Sequence, residues 1–149
     1  MNIRTANKFD REGVVAMLNR YKLHSPLKFQ RTANEQQAYL IFDSIIAGAG
    51  ICFVSEDSKG LTGFLLAVRN VNVWVPNTWA IQELAYWVDE EFRGSSAGYR
   101  LLKTYVDFCQ EKLSSGEISY FTVSKMSNSP DLKYDRFGFE QLESTWSIQ

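Results

Sequence analysis

Residues Ile81 to Leu102 read IQELAYWVDEEFRGSSAGYRLL, and the order of residue types in that stretch decides how the rest of the chain is read. It opens on apolar, β-branched and aromatic residues that suit a strand from about Trp79 to Val88. The acidic run Asp89-Glu90-Glu91 follows, then the small residues Gly94, Ser95, Ser96, Ala97 and Gly98, and then a helical period. A strand–turn–helix junction leaves several N–H groups at the helix start unpaired and pointing one way, with the positive end of the peptide dipole behind them. With so little side chain over residues 94–98, an anion can approach the main chain directly, and a diphosphate is the expected occupant.

Outward from that turn, Leu101, Leu102, Tyr105, Phe108, Cys109 and Leu113 form one stripe, with Arg100, Lys103, Asp107 and Glu111 largely opposite, which predicts an amphipathic helix lying on a sheet. Ser114-Ser115-Gly116 ends it. Ile118 to Val123 reads as the next strand, Asp131 to Phe137 as about two turns of helix or irregular structure, and Phe139 to Trp146 as a final strand. On the other side, Ile51 to Val54 and Leu61 to Val68 predict a hairpin, and Asn70 to Asn77 a connection to the central strand.

The first third reads as a short strand over Asn2 to Ala6 and two helices. Asp10 is expected to cap the first helix, with Phe9 packing on Val14 as a hydrophobic staple. Thr32-Ala33-Asn34-Glu35 matches a capping box for the second, which Gly48 and Gly50 stop. A strand, helix and strand between Trp79 and Val123 require at least one parallel pair in a sheet whose first half is hairpins, so the class is a mixed α/β sheet.

Length fits one domain over residues 1–149. Sixteen basic against seventeen acidic residues leave a net charge of −1, which gives no global field for nucleic acid or an anionic membrane. No apolar run approaches the roughly 20 residues that span a bilayer, and the polar N-terminus has no signal pattern, so a cytoplasmic protein is expected. Cys52 and Cys109 have no partner at metal-ligand spacing and read as buried free thiols. His24, the only histidine, falls in an aperiodic loop from Lys22 to Arg31, reads as solvated, and makes no metal site.

Several features together resemble the GNAT superfamily of acetyl-CoA-dependent N-acetyltransferases. They are the order of elements, the central strand with Glu83, the turn Arg93-Gly94-Ser95-Ser96-Ala97-Gly98, the Leu101-Leu102 pair, and the late run Tyr134-Asp135-Arg136-Phe137-Gly138-Phe139. The family's pyrophosphate loop has the pattern Q/R-x-x-G-x-G/A; Arg93 and Gly98 fit it, whereas Ser96 stands where glycine is usual. Tyr134, Gly138 and Phe139 match the common Y-x-x-x-G-F ending. Glu-Leu-Ala-Tyr-Trp-Val followed by Arg-Gly-Ser-Ser-Ala-Gly looks most similar to small acetyltransferases encoded in phage genomes.

The resemblance implies a mostly antiparallel sheet with a splayed central parallel strand pair, flanked by helices, and acetyl-CoA as co-substrate, bound at Val88, Arg93, Gly94, Ser95, Ser96, Ala97 and Gly98. It implies Glu83 as the base that takes a proton from an amine acceptor, Tyr134 as the acid that meets the departing thiolate, and a main-chain N–H near Val88 as the oxyanion donor. Each residue also has a plainer reading. Glu83, a carboxylate in an apolar strand, could be ion-paired to Arg69 or another strand cation, and Tyr134 could be an aromatic lid on the core. Arg100 and Lys103 could reach a nucleotide phosphate or be surface charges. Asp89, Glu90 and Glu91 read as a solvated turn.

By the same resemblance, acceptor choice rests on Lys22 to Arg31 and Asn70 to Asn77, where Trp74 is either a wall of the acceptor site or tucked onto the core. The acceptor's identity and the oligomeric state, a homodimer included, stay open. A catalytically silent GNAT-like domain that binds a partner protein is the competing function, motivated by Ser96.

Overall fold

Five strands form one sheet in the order β1-β2-β3-β4-β5 in the computed structural model, which describes residues 1–32 and 34–149. They are β1 (Asn2–Thr5), β2 (Gly50–Asp57), β3 (Gly60–Val71), β4 (Trp79–Val88) and β5 (Tyr120–Thr122), and the helices are α1 (Arg11–Leu23), α2 (Glu35–Ser44) and α3 (Ala97–Ser114). Every neighbouring pair is antiparallel except β4 and β5, whose crossover is α3. This is the mixed, mostly antiparallel α/β sheet expected. Among the described residues, no helix is long and apolar enough to cross a membrane.

Alternation along the strands sends side chains to two cores. On one face Cys52, Val54, Phe64, Leu66 and Ala85 meet Val14, Met17 and Leu18 of α1 and Phe42 of α2. On the other, Phe53, Leu65, Ala67 and Ile81 meet Leu101, Leu102, Tyr105 and Cys109 of α3. The stripe expected on α3 is therefore its buried face, though Leu113 is more than a third exposed.

One irregularity positions everything that follows. Leu66 pairs with Ala85 and Ala67 with Glu83, so Leu84 is an extra, unopposed residue in β4. Such a bulge shifts the alternation by one. Ile81 before it and Tyr86 and Val88 after it all pack toward α3, while Ala85 and Trp87 pack toward α1 and α2.

Five local expectations are corrected. The first helix is entered through Asn7, whose side chain accepts from Phe9 N–H and forms a capping box with Asp10. Asp10 makes no side-chain cap to α1; its carboxylate receives Asn7 N–H at 2.8 Å and the Arg4 guanidinium at 2.7 and 2.8 Å. The 3-10 turn Lys8–Asp10 turns Phe9 outward to 85% exposure, which leaves no staple on Val14. Arg4 is shared with Glu56 at 2.8 Å, so this cluster stitches β1 and β2 to the entrance of α1.

The second helix is capped by Asn34, which accepts from Gln37 N–H at 3.1 Å, and not by a box from Thr32; Ala33 lies outside the described residues. The strand expected over Ile118 to Val123 is ordered as β only at Tyr120–Thr122. The final strand expected over Phe139 to Trp146 is absent: Phe139 packs on Phe121 with ring centroids 5.6 Å apart, but Trp146 is 92% exposed. A three-residue β5 offers too short an edge to template another strand. The tail is instead tied at Gln149, whose side chain accepts from Lys28 N–H at 2.6 Å and donates to the Pro26 carbonyl at 2.8 Å.

Candidate active site at a fork in the sheet

Pairing between β4 and β5 covers only Ala80 with Tyr120, Ile81 with Phe121 and Gln82 with Thr122, after which the strands part. Glu83 is the next residue of β4, so the sequence candidate stands at the crotch of the fork, immediately before the Leu84 bulge. It makes no ion pair with Arg69, whose guanidinium lies 4.3 Å from the Trp79 ring centroid.

Glu83 keeps some accessible surface although protein surrounds most of it. Loss of hydration pushes its carboxyl up from 4.5 to about 8, and the Ser124 main-chain N–H, the one donor acting on it, pulls only partly back. Four phenols feel its charge: Tyr21, Tyr86, Tyr105 and Tyr134. Burial is the first cause of the upward shift in each, taking Tyr21 and Tyr134 to about 12. Tyr134 is delivered by the 3-10 turn Tyr134–Phe137, entered through Lys133 at φ 57° and left through Gly138 at φ 95°. Its ring also packs edge-on against Phe139, as an aromatic lid on the core does.

Val88 lies farther along the same strand. Asp89 N–H donates to the Thr62 carbonyl of β3 at 2.9 Å. Since successive residues of a strand turn their main-chain groups to opposite sides, the Val88 N–H points away from β3, toward the opening that β5 has vacated. The Val88 carbonyl on that side is already taken by Arg93 Nε at 2.9 Å.

Arg93 is thus committed to the protein. Its guanidinium also lies 4.4 Å from the Trp87 ring centroid, so it fastens the turn to β4. Arg100 donates to the Met1 carbonyl and Lys103 pairs with Asp107. The cradle is therefore main chain. Within it Arg93 N–H goes to the Glu90 carbonyl, Ser95 N–H to the Phe92 carbonyl and Ala97 N–H to Ser95 Oγ. No acceptor within the described residues serves the N–H groups of Gly94, Ser96, Gly98 and Tyr99.

The residues fit a diphosphate. Gly94, at φ 92°, has nothing within 4 Å of where a Cβ would stand. Ser96 adopts φ −78° and ψ 0°, a conformation open to any L-residue, so its departure from glycine strains nothing. A Cβ on Gly98 would meet Tyr86 Oη at 3.3 Å, and Tyr86 donates its hydroxyl to the Gly98 carbonyl, which ties the start of α3 to the strand that carries Glu83.

The model of the Acetyltransferase (GNAT) family matches residues 16–139. The chain belongs to the GNAT acetyltransferase family. Its fold is shared with the ribosomal-protein-alanine N-acetyltransferase of Brucella melitensis biovar Abortus 2308, at 16% identity and a TM-score of 0.64 over 100% of this chain and 99% of that one. The glucosamine-6-phosphate N-acetyltransferase of Arabidopsis thaliana is similar at 16% identity and a TM-score of 0.68, covering 99% and 97%. So is a transcriptional regulator from Bacillus halodurans C-125, at 18% identity and a TM-score of 0.68, covering 99% and 98%. No curated protein matches the chain.

Other GNAT expectations from sequence divide. Trp74 is 86% exposed and so is not tucked onto the core; its N–H is held by Asn72 Oδ1. His24 is exposed, closes α1, and lies 5.1 Å from the Trp87 ring centroid. Asp89 is not merely solvated: it takes a forked pair from Arg20 at 2.8 and 2.9 Å and the Trp87 indole N–H at 2.8 Å, fastening α1 to the end of β4. Sequence reasoning puts Tyr105 on the apolar stripe of α3 and Tyr21 on the apolar face of α1, and singles out neither of them, nor Tyr86, for the site. The signal available was that a buried tyrosine carries a hydroxyl that must find a partner.

Proposed function

We propose that this GNAT chain is an acetyl-CoA-dependent N-acetyltransferase that moves an acetyl group directly to a primary amine, of a small molecule or a protein, in a ternary complex. The observation that carries it is a single carboxylate, raised to about 8, at the crotch of a fork whose far end offers the Val88 N–H. Acetyl-CoA supplies the acyl group as a thioester and a diphosphate by which it is held.

Each residue then has a separate task. The free N–H groups of Gly94, Ser96, Gly98 and Tyr99 receive phosphate oxygens at the positive end of α3. The Val88 N–H donates toward the acyl oxygen, where negative charge develops. Glu83 accepts the ammonium proton, directly or through water, and its pKa near working pH suits a base that must also release that proton. Tyr134, still protonated at neutral pH with a pKa of about 12, donates to the leaving sulfur. Cys52 and Cys109 are buried, and burial pushes both thiols to about 12, which favours direct transfer over an acyl-enzyme.

Ser96 needs no glycine conformation, which weakens the motive for the silent-module reading. The test is thermal and calorimetric. At one hundred times its Kd, acetyl-CoA should stabilise the protein by about 2.7 kcal/mol. Gly98→Glu, which fills the space under Tyr86 Oη and faces phosphate with a carboxylate, should abolish that gain. Unchanged melting of the wild type in saturating acetyl-CoA refutes the proposal.

A further inference from the structure

The fork needs something to keep it open, because two neighbouring strands with free main-chain groups would otherwise go on pairing. The side chain at the point of parting is Tyr105, from the middle of α3. It is 0% exposed, and its hydroxyl lies 2.7 Å from the Thr122 carbonyl of β5 and 3.5 Å from the Ile81 carbonyl of β4. Thr122 is the last paired residue of β5, and Ile81 is the last but one of β4.

We infer that Tyr105 is a positioning residue which holds β4 and β5 apart, so that the acyl-bearing arm of the co-substrate can enter between them and reach Glu83 and the Val88 N–H. The inference rests on the N-acetyltransferase reading and adds to it a reason why the opening exists. Two carbonyls cannot bond each other, whereas one phenol proton set between them serves the nearer and leans toward the farther. The ring is held in place by the apolar face of α3 and by Phe121, whose ring meets it edge-on at 6.0 Å. The hydroxyl is thus fixed from the helix side and cannot follow either strand.

Tyr105→Phe removes one oxygen atom and leaves the ring. The part-buried Thr122 carbonyl then lacks its phenol donor, and the nearest remedies are continued pairing with β4 or entry of water, either of which spoils the opening. The diphosphate cradle lies at the start of α3 and does not use that hydroxyl. Two probes therefore separate the effects: acetyl-CoA, which uses fork and cradle, and adenosine 5′-diphosphate, which uses the cradle alone.

The experiment is calorimetric titration of wild type and Tyr105→Phe with each probe. Acetyl-CoA affinity should fall about tenfold in the variant while that for adenosine 5′-diphosphate stays within twofold, and 4-aminophenylalanine at position 105, which keeps an N–H donor there, should restore most of the loss. Equal weakening of both probes, or none of either, overturns the inference. A wild type that binds adenosine 5′-diphosphate no more weakly than acetyl-CoA overturns it as well, since the fork then contributes nothing. A wild type that binds neither overturns the N-acetyltransferase reading itself. Should Tyr105→Phe not fold, wild-type protein carrying 3-fluorotyrosine decides: the Tyr105 fluorine resonance should move with acetyl-CoA and stay put with adenosine 5′-diphosphate, and an unmoved resonance with both overturns the inference.

Discussion

Replacing Glu83 by Gln should change how stability depends on pH, with no acceptor needed to see it. The Glu83 carboxyl is raised from 4.5 to about 8 by burial. Between those values the folded protein binds a proton that the unfolded chain has given up, so the contribution is fully present below pH 4.5 and is lost as pH rises toward and through 8. In the middle of that window one proton's difference amounts to about 1.4 kcal/mol per pH unit, and the shift as a whole caps the effect at roughly 5 kcal/mol. Solvent reaching the part-exposed Glu83 lowers the amplitude, not the sign. Urea unfolding of wild type and Glu83→Gln at half-unit steps from pH 5 to 9 reads it directly. Wild type should lose about 2 kcal/mol relative to the variant between pH 5.5 and 7. Parallel curves would show that Glu83 titrates as an ordinary carboxylate, and its standing as a base poised near neutrality would go with that result.

Tyr134→Phe should lower kcat by a factor of about one hundred or more with little change in acetyl-CoA affinity, if the phenol acts on the leaving group; a kcat within twofold of wild type in a steady-state assay contradicts that role. Ser96→Gly should leave the acetyl-CoA Kd within about twofold and cost about 0.5–1 kcal/mol of stability from added chain freedom, measured by calorimetry and urea melts; a tighter Kd by tenfold would mean that the serine side chain does obstruct phosphate. Asp89→Ala strips partners from Arg20 and the Trp87 indole and should destabilise by about 1–3 kcal/mol in urea, whereas an unchanged midpoint would make the corner a solvated one after all.

Much of the fold was legible because it depends on local pattern. The α3 stripe, the β2–β3 hairpin and the strand–turn–helix junction each follow from periods and small residues within a dozen positions. Misreadings fell where a local motif competes with a distant partner. Asp10 looks like a cap but is claimed by Arg4, six residues away and across the β1–α1 turn. Phe139 to Trp146, expected as a strand, has apolar residues only at Phe139, Leu142 and Trp146 and finds no edge long enough to pair with. Arg93 looks like a phosphate ligand, yet its own strand offers it the Val88 carbonyl and the Trp87 face first.

By itself the sequence determined the family and most of the element order, and it nominated Glu83, Tyr134 and the small-residue turn as candidates, because these are carried by short runs whose residue types have few alternative uses. Only the tertiary structure decided that the turn offers four free amides and ties Arg93 Nε to its own strand, and that Val88 faces the gap. It also decided that the Leu84 bulge brings Tyr86 to the α3 side of β4, that Glu83 lies among four phenols, and that Tyr105 stands where the strands divide. Those are relations between residues from different elements, and a hydrogen bond or a loss of hydration exists only once both partners have been brought to the same place.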